Sequence, residues 1–184
     1  MLRLLAGRHR GRRLAAPEGL TTRPTAERVR QALFDMLWHA PWAGREMVEG
    51  AQVLDAFAGT GALGLEALSR GAGQATFFEA DRAALTALRA NIAATREEAA
   101  CRVIPGDVLR PPRAMVPANL ILLDPPYGQA LVPRALAALR AAGWIAQGAL
   151  VCAELAKSDP IDLPDDEILA ERIHGAARLV FLRR

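Results

Sequence analysis

A chain of 184 residues, 52% hydrophobic and 23% charged, is long enough to bury a full core without disulfides or a structural metal, and its make-up excludes disordered, collagenous and long coiled-coil folds. The formal charge of +3 hides an asymmetry, because residues 1–45 hold nine arginines against Glu18, Glu27 and Asp35, while 14 basic and 17 acidic residues follow. A basic front on a mildly acidic body suits an anionic partner, nucleic acid before membrane, since the arginine fork matches phosphate.

Residues 2–6 and 12–16 flank Gly7-Arg8-His9-Arg10-Gly11. That layout predicts a protruding β-hairpin, a better match than the Arg-rich transit peptide these residues superficially resemble. Thr25 is placed to cap a helix on which Val29, Ala32, Leu33, Met36, Leu37 and Ala40 recur at three- and four-residue steps up to the break at Pro41. From residue 51 apolar strands alternate with helices. Residues 53–57 read as a strand, 59–64 as a glycine turn and 63–70 as a helix. Residues 75–79 form a second strand, and Leu85, Leu88 and Ile92 mark the buried face of the next helix. Residues 101–104 and 120–123 are the third and fourth strands; 132–142 are helical and 149–155 strand-like. A Pro/Asp loop over 157–166 precedes a terminal hairpin, 168–173 and 178–182, predicted to add an antiparallel edge.

Strands that are near-continuous apolar runs imply a mostly parallel sheet covered on both faces, an α/β fold of seven strands in all. We expect one domain, with residues 1–45 as a basic extension and 46–184 as the core. Cys101 and Cys152 lack paired spacing, which argues against a disulfide scaffold or a zinc site and for a reducing cytoplasm. Arg134 and Arg140 interrupt the most Ala/Leu-rich stretch, so no run approaches the ~20 apolar residues of a bilayer span.

Asp55-Ala56-Phe57-Ala58-Gly59-Thr60-Gly61-Ala62-Leu63-Gly64 closes a strand and opens a helix, the place where open α/β sheets bind ligands. Its glycines fit G-x-G-x-x-G, allowing close backbone approach beside unpaired helix N–H groups. Glu79 ends the next strand, where a carboxylate can accept both hydroxyls of a ribose. The pattern permits a dinucleotide or S-adenosylmethionine, or simply a tight strand-to-helix turn. Asp55 favours the sulfonium cofactor: it would repel a pyrophosphate but suits the ammonium of a methionyl group. Asp107, after Gly106, is placed to accept from an adenine amino group, or else is an ordinary turn aspartate.

Asp124-Pro125-Pro126-Tyr127 follows the fourth strand. Proline lacks an N–H and keeps the residue before it extended, so Asp124 and Pro125 leave the sheet as a rigid strut. The lone pair of an exocyclic amine is delocalised into its base. Accepting its two hydrogens, on the Asp124 carboxylate and the Pro125 carbonyl, localises that lone pair and aims it at a methyl donor. Tyr127 would stack on the base, worth ~1–3 kcal/mol. Such chemistry needs positioning and charge stabilisation, with no metal and no covalent intermediate. A paired base could not reach the site, so the target is single-stranded or flipped.

These residues resemble the Rossmann-like amino-methyltransferases that modify adenine N6, cytosine N4 or guanine N2. The front, Gly7-Arg8-His9-Arg10-Gly11-Arg12-Arg13-Leu14 and Arg23-Pro24-Thr25-Ala26-Glu27-Arg28-Val29-Arg30-Gln31-Ala32-Leu33-Phe34, narrows the resemblance to the bacterial RsmD family, as do residues 62–71 and Gly143-Trp144. The resemblance spans essentially the whole chain. It implies a class I S-adenosylmethionine-dependent fold and N2-methylation of guanine 966 in 16S rRNA of the small ribosomal subunit. The protein is expected to be cytoplasmic and a monomer. It marks Asp124, Pro125, Pro126 and Tyr127 as catalytic, and Asp55, Phe57, Gly59, Thr60, Gly61, Glu79 and Asp107 as cofactor-binding. Arg8, Arg10, Arg12, Arg13, Arg23 and Arg28 would bind RNA, with Arg23, Pro24 and Thr25 over the cofactor mouth, and no metal is expected.

Competing chemistries find less support. Ser69 and Ser158 lack a nucleophile elbow, no Walker lysine follows the glycines, and His9, His39 and His174 are scattered. A DNA amino-methyltransferase would share the core but normally needs a target-recognition domain. A dinucleotide-dependent oxidoreductase is weakened by Asp55. A non-catalytic rRNA-binding assembly factor would have little use for Asp124 and Glu79.

Overall fold

Each apolar run of the body becomes a strand, and each three-and-four spacing a helix. A computed structural model describes residues 2–17, 24–160 and 168–184. In chain order they form α1 (Pro24–His39), β1 (Gln52–Asp55), α2 (Ala62–Ser69), β2 (Gln74–Glu79), α3 (Arg82–Thr95), β3 (Cys101–Pro105), β4 (Ala118–Leu123), α4 (Leu131–Ala141), β5 (Ile145–Ala156), β6 (Ile168–His174) and β7 (Ala177–Arg183). Arg23, the side chain of Thr25 and most of the expected Pro/Asp loop lie outside the described residues.

The strands build one seven-stranded sheet in the order β3-β2-β1-β4-β5-β7-β6. Neighbours among β1 to β5 pair parallel, and β7 pairs antiparallel with both β5 and β6. The terminal hairpin therefore does not simply extend the edge: β7 is wedged between β5 and β6, so the edge strand runs with the parallel set. Burial explains the order. Ala177, Leu179 and Phe181 join one apolar layer while Val180 and Leu182 join the other, so β7 is apolar on both faces and needs an interior place. Glu171, Arg172 and Ile173 of β6 are exposed, as an edge strand tolerates.

Two layers flank the sheet. On one face Val29, Leu33, Phe34 and Leu37 of α1, Leu65 and Leu68 of α2, and Leu85, Leu88 and Ile92 of α3 pack on Val53, Phe77, Leu122 and Cys152. On the other, Val132, Leu136 and Leu139 of α4 and Trp144 pack on Leu54, Ile121, Leu123 and Val151.

The front forms a hairpin-like ladder, with Leu4 N–H donating to Arg12 O (2.9 Å), Gly11 N–H to Leu4 O (2.8 Å) and Leu14 N–H to Leu2 O (2.9 Å). It does not protrude, contrary to the expectation from sequence. Leu2, Leu4 and Leu14 are buried in the layer shared with α1 to α3, and the backbone between them is held by side chains of α2. Glu66, fully buried, accepts from Leu5 N–H (2.7 Å) and Ala6 N–H (3.0 Å) and from Arg70 Nε (2.8 Å), with Arg30 Nε 3.9 Å away. Ser69 Oγ donates to Ala6 O (2.5 Å) and accepts from His9 N–H (3.0 Å). A carboxylate this deep would be costly alone; two backbone donors and two arginines satisfy it.

The hairpin turns at Gly7, whose φ of +75° suits glycine and whose missing side chain leaves room for the Ser69 carbonyl. Gly11 has a similar φ of +81°, but a Cβ there would meet no atom within 4 Å. Replacing Gly11 by Ala should therefore cost about 1 kcal/mol of backbone strain. Gly7→Ala should cost well over twice that, because the hairpin must lift off α2. Urea midpoints of the two variants measure the difference, and equal losses would show that the close approach to Ser69 contributes nothing.

Candidate active site

The site is set by register. Parallel partners share a face of the sheet, and so does every second residue along a strand. Asp55 pairs with Phe77 of β2 and with Leu122 of β4, and Leu122 pairs with Cys152 of β5. Two residues beyond these partners stand Glu79, Asp124 and Glu154. Four carboxylates thus stand at or near the carboxyl ends of four adjacent strands, in the order β2, β1, β4, β5, on the face covered by α1 to α3, with Asp55 one step deeper than the rest and Glu154 two residues before the end of β5.

Their environments differ. Asp55 is buried; its Oδ2 accepts from Gly64 N–H (2.9 Å), while its Oδ1 has no hydrogen-bond partner among the described residues. Burial pushes its pKa up to about 7, with Glu79 adding to the rise and the Gly64 N–H opposing it. Asp124 is crowded by protein yet exposed to solvent. Its pKa is raised, to about 8, first by that enclosure and then by Glu154 and Asp55, against the pull of Arg30 from α1. Solvent access weakens the first effect; the repulsion by neighbouring carboxylates is the part geometry guarantees. Glu79 is already engaged, its Oε2 accepting from Gly59 N–H (2.6 Å) and its Oε1 from Ala80 (2.8 Å) and Asp81 (2.7 Å) N–H.

The glycines of the turn divide their work. Gly59 takes φ +54°, and a Cβ there would face open space. At Gly61, with φ +81°, a Cβ would run into Leu88, and at Gly64 into the ring of Phe77. Of the three, only Gly59 faces open space; the other two let α2 seat on α3 and the sheet. Phe57 is half-buried against the α4 layer. Thr60 O accepts from Asn91 Nδ2 (2.9 Å), and the same amide accepts from Ala15 N–H (2.6 Å) and donates to Ala15 O (3.0 Å). One buried side chain of α3 therefore ties the turn to the front segment. Asp107 caps its own turn, accepting from Leu109 N–H (2.8 Å).

Beyond β4, Pro125 is buried and Pro126 exposed. The Tyr127 ring is 46% exposed, and its hydroxyl donates to Glu154 Oε1 (2.6 Å). Glu154 was not singled out from sequence; the only signal was one charge near the end of an apolar strand, and its meaning comes from lying beside Asp124. Among the arginines, Arg8 is turned back onto the body, paired with Glu97 (2.6 Å), which His9 also touches (2.5 Å). Arg10, Arg12, Arg13 and Arg28 are exposed, and none forms an ion pair with a described residue.

The residues present fit a cationic methyl donor. Asp55 holds an unpaired oxygen where an ammonium can donate, Gly59 leaves its side of the turn open, and the carboxylate set offers acceptors while disfavouring a pyrophosphate. Among the described residues no group of three or more metal-ligating side chains stands together, and no helix is long and apolar enough to cross a membrane. A cavity of about 130 Å³ lies at the opposite, amino-terminal ends of the strands, lined by Gln52, Gln74, Cys101 and Trp144. It holds none of the four carboxylates.

Folding raises the Asp55 pKa from 3.8 to about 7, so between those values the folded chain binds more protons than the unfolded one and this group's effect on stability worsens as pH rises. Asp55→Asn keeps an acceptor for Gly64 and removes the titration. Relative to the wild type it should gain stability from pH 4 to pH 8, by at most about 4 kcal/mol. Urea unfolding across that range tests this; a difference independent of pH would contradict it.

Comparison with known proteins agrees with this geometry. The family model described as conserved hypothetical protein 95 matches residues 2–183. A ribosomal RNA small subunit methyltransferase D of Escherichia coli K12 is 40% identical over 154 residues, covering 83% of this chain and 74% of the relative. The protein of the same name from Haemophilus influenzae is 31% identical, covering 95% and 89%. A solved structure of an Escherichia coli putative methyltransferase, yhhF, superposes with a TM-score of 0.84 at 34% identity, covering 100% of this chain and 97% of that one. The mostly parallel seven-stranded sheet with its antiparallel insertion is that of the Rossmann-like class I methyltransferases, and the chain belongs to the RsmD family of methyltransferases.

Proposed function

We propose that this chain methylates the exocyclic N2 amino group of a guanine in 16S rRNA, using S-adenosylmethionine, and that by family resemblance the target is guanine 966. The observation that carries the reading is the unpaired, buried Oδ1 of Asp55 one strand away from Asp124 and Pro125. It supplies an acceptor for a cofactor ammonium beside acceptors for a target amine. The names of the relatives, small-subunit rRNA methyltransferases, supply the substrate class.

In this reading Asp55 would hold the cofactor's ammonium and Glu79 its ribose hydroxyls, which would replace some of the backbone donors Glu79 now accepts from. Phe57, Gly59 and Thr60 would line the approach, Gly61 would shape the turn through its packing on Leu88 rather than by facing the cofactor, and Asp107 would face the adenine edge. When bound, S-adenosylmethionine would supply an electrophilic methyl carbon on a sulfonium leaving group. Asp124 and the Pro125 carbonyl accept the two amine hydrogens, Pro126 stiffens the strut, and Tyr127 stacks on the base. The charge that develops on nitrogen lies beside Asp124, which takes the released proton. A raised pKa suits a carboxylate given that task.

Residues 1–45 act as the RNA-facing extension and 46–184 as the catalytic core. Arg10, Arg12, Arg13, Arg23 and Arg28 contact phosphate, with Arg8 joining once it exchanges Glu97. The protein works as a monomer in the cytoplasm on the small subunit or its rRNA.

Incubation with labelled S-adenosylmethionine and naked 16S rRNA, assembled small subunits or DNA should place label on a guanine N2 of the RNA. Label only in DNA would overturn the assignment, and no label with any substrate would favour a binding factor. Asp124→Ala should lower kcat at least 100-fold with cofactor affinity changed less than about threefold; unchanged turnover would remove Asp124 from the mechanism. Replacing Arg10, Arg12 and Arg13 together by Ala should weaken RNA binding and reduce the log–log salt slope by about 0.7–0.9 for each phosphate no longer neutralised. An unaltered slope would make these arginines a solvated surface.

A further inference from the structure

Glu154 stands level with Asp124 in the sheet. Leu122 pairs with Cys152 and Leu123 with Ala153, so the next residue on each strand is a neighbour across the ~4.8 Å strand spacing. One oxygen of Glu154 is fixed by the Tyr127 hydroxyl at 2.6 Å, which leaves Oε2 without a donor among the described residues. The side chain is half-buried, and burial raises its pKa while the Tyr127 bond opposes the rise. Two carboxylates forced side by side ask for a ligand with two adjacent hydrogen-bond donors.

Nucleobases with an exocyclic amine differ on this point. In guanine the N2 amino group lies beside N1–H, a donor next to a donor. In adenine the N6 amino group lies beside N1, and in cytosine the N4 amino group lies beside N3, each a lone-pair acceptor. A carboxylate oxygen beside Asp124 is satisfied by the first edge and faces a like lone pair in the other two.

We propose that Glu154 selects the base: its Oε2 accepts the N1–H of guanine while Asp124 accepts the neighbouring amino group, and Tyr127 both stacks on the base and aims the Glu154 carboxylate. This rests on the guanine-N2 reading above and gives its specificity a physical origin. Sites that hydrogen-bond a substrate donor reject analogues lacking it far more strongly than apolar pockets reject a missing methylene, because the site's own polar group is left unpaired.

The test replaces the target guanine of the RNA substrate by 2-aminopurine, which keeps the exocyclic amine, presents a lone pair at N1 and carries hydrogen in place of O6; the change of ratio in Glu154→Gln separates the N1 effect from the loss of O6. Wild-type kcat/KM should fall about 100-fold or more on 2-aminopurine. Glu154→Gln, whose amide can donate to that lone pair or accept from N1–H, should lower guanine turnover and narrow the ratio to below about tenfold. Tyr127→Phe, which keeps the ring and releases the carboxylate, should weaken the discrimination without erasing it. Guanine methylated no better than 2-aminopurine by the wild type would overturn the role of Glu154 and leave the guanine-N2 reading standing. An unchanged ratio in a folded Glu154→Gln would overturn it too. Failure of the wild type to methylate guanine in any RNA would overturn the underlying reading itself. The wild-type comparison holds whether or not the variant folds.

Discussion

Parallel pairing is the constraint from which the site follows. Once β1 is flanked by β2 and β4, and β4 by β5, residues at matched heights must share a face, so Glu79, Asp124 and Glu154 fall into one row with Asp55 one step below it on the same face. Four carboxylates in so small a space repel one another, and the chain offsets part of that repulsion locally. Gly64 donates to Asp55, three backbone N–H groups donate to Glu79, Tyr127 donates to Glu154, and Arg30 lends its field to Asp124. What remains uncompensated is specific: Asp55 Oδ1, Glu154 Oε2 and the open Asp124 carboxylate. These are the groups to which the proposed reaction assigns an ammonium, a ring N–H and an amine.

The basic front is locked to this row rather than tethered beside it. Glu66 holds residues 5 and 6 against α2, Ser69 holds residues 6 and 9, and Asn91 grips Ala15 and the glycine turn with one amide. Arg70, which completes the Glu66 pair, lies over the rings of Phe34 and Trp38, so α1 joins the same assembly. In the proposed function this rigidity matters, since an RNA gripped by Arg10, Arg12 and Arg13 is thereby registered against Asp124 without a flexible joint.

Much of this was legible in the sequence. Glycines after an apolar run, an acid at the strand end and Asp124-Pro125-Pro126-Tyr127 after a later run mark their own positions, because local chain geometry decides them. Other features depend on partners distant along the chain. Glu66 and Arg70 look like an ordinary exposed i,i+4 pair until the hairpin buries them. Arg8 meets Glu97 only once α3 ends beside the hairpin, which is why a protruding basic arm was expected where a folded-back one is found. Glu154 needed the β4–β5 register, and the insertion of β7 needed both of its apolar faces weighed together. Gly64 fits a ligand-binding fingerprint by spacing, but its missing side chain is filled by Phe77.

In the proposed function the carboxylates at the strand ends receive a cationic methyl donor. A crystal structure with S-adenosylhomocysteine, which retains the ammonium and ribose, tests it most directly. The ammonium should lie within about 3.2 Å of Asp55 Oδ1, the ribose hydroxyls on Glu79, and the sulfur on the side facing Asp124. A ligand bound elsewhere, or bound here with Asp55 Oδ1 still lacking a donor, would contradict it.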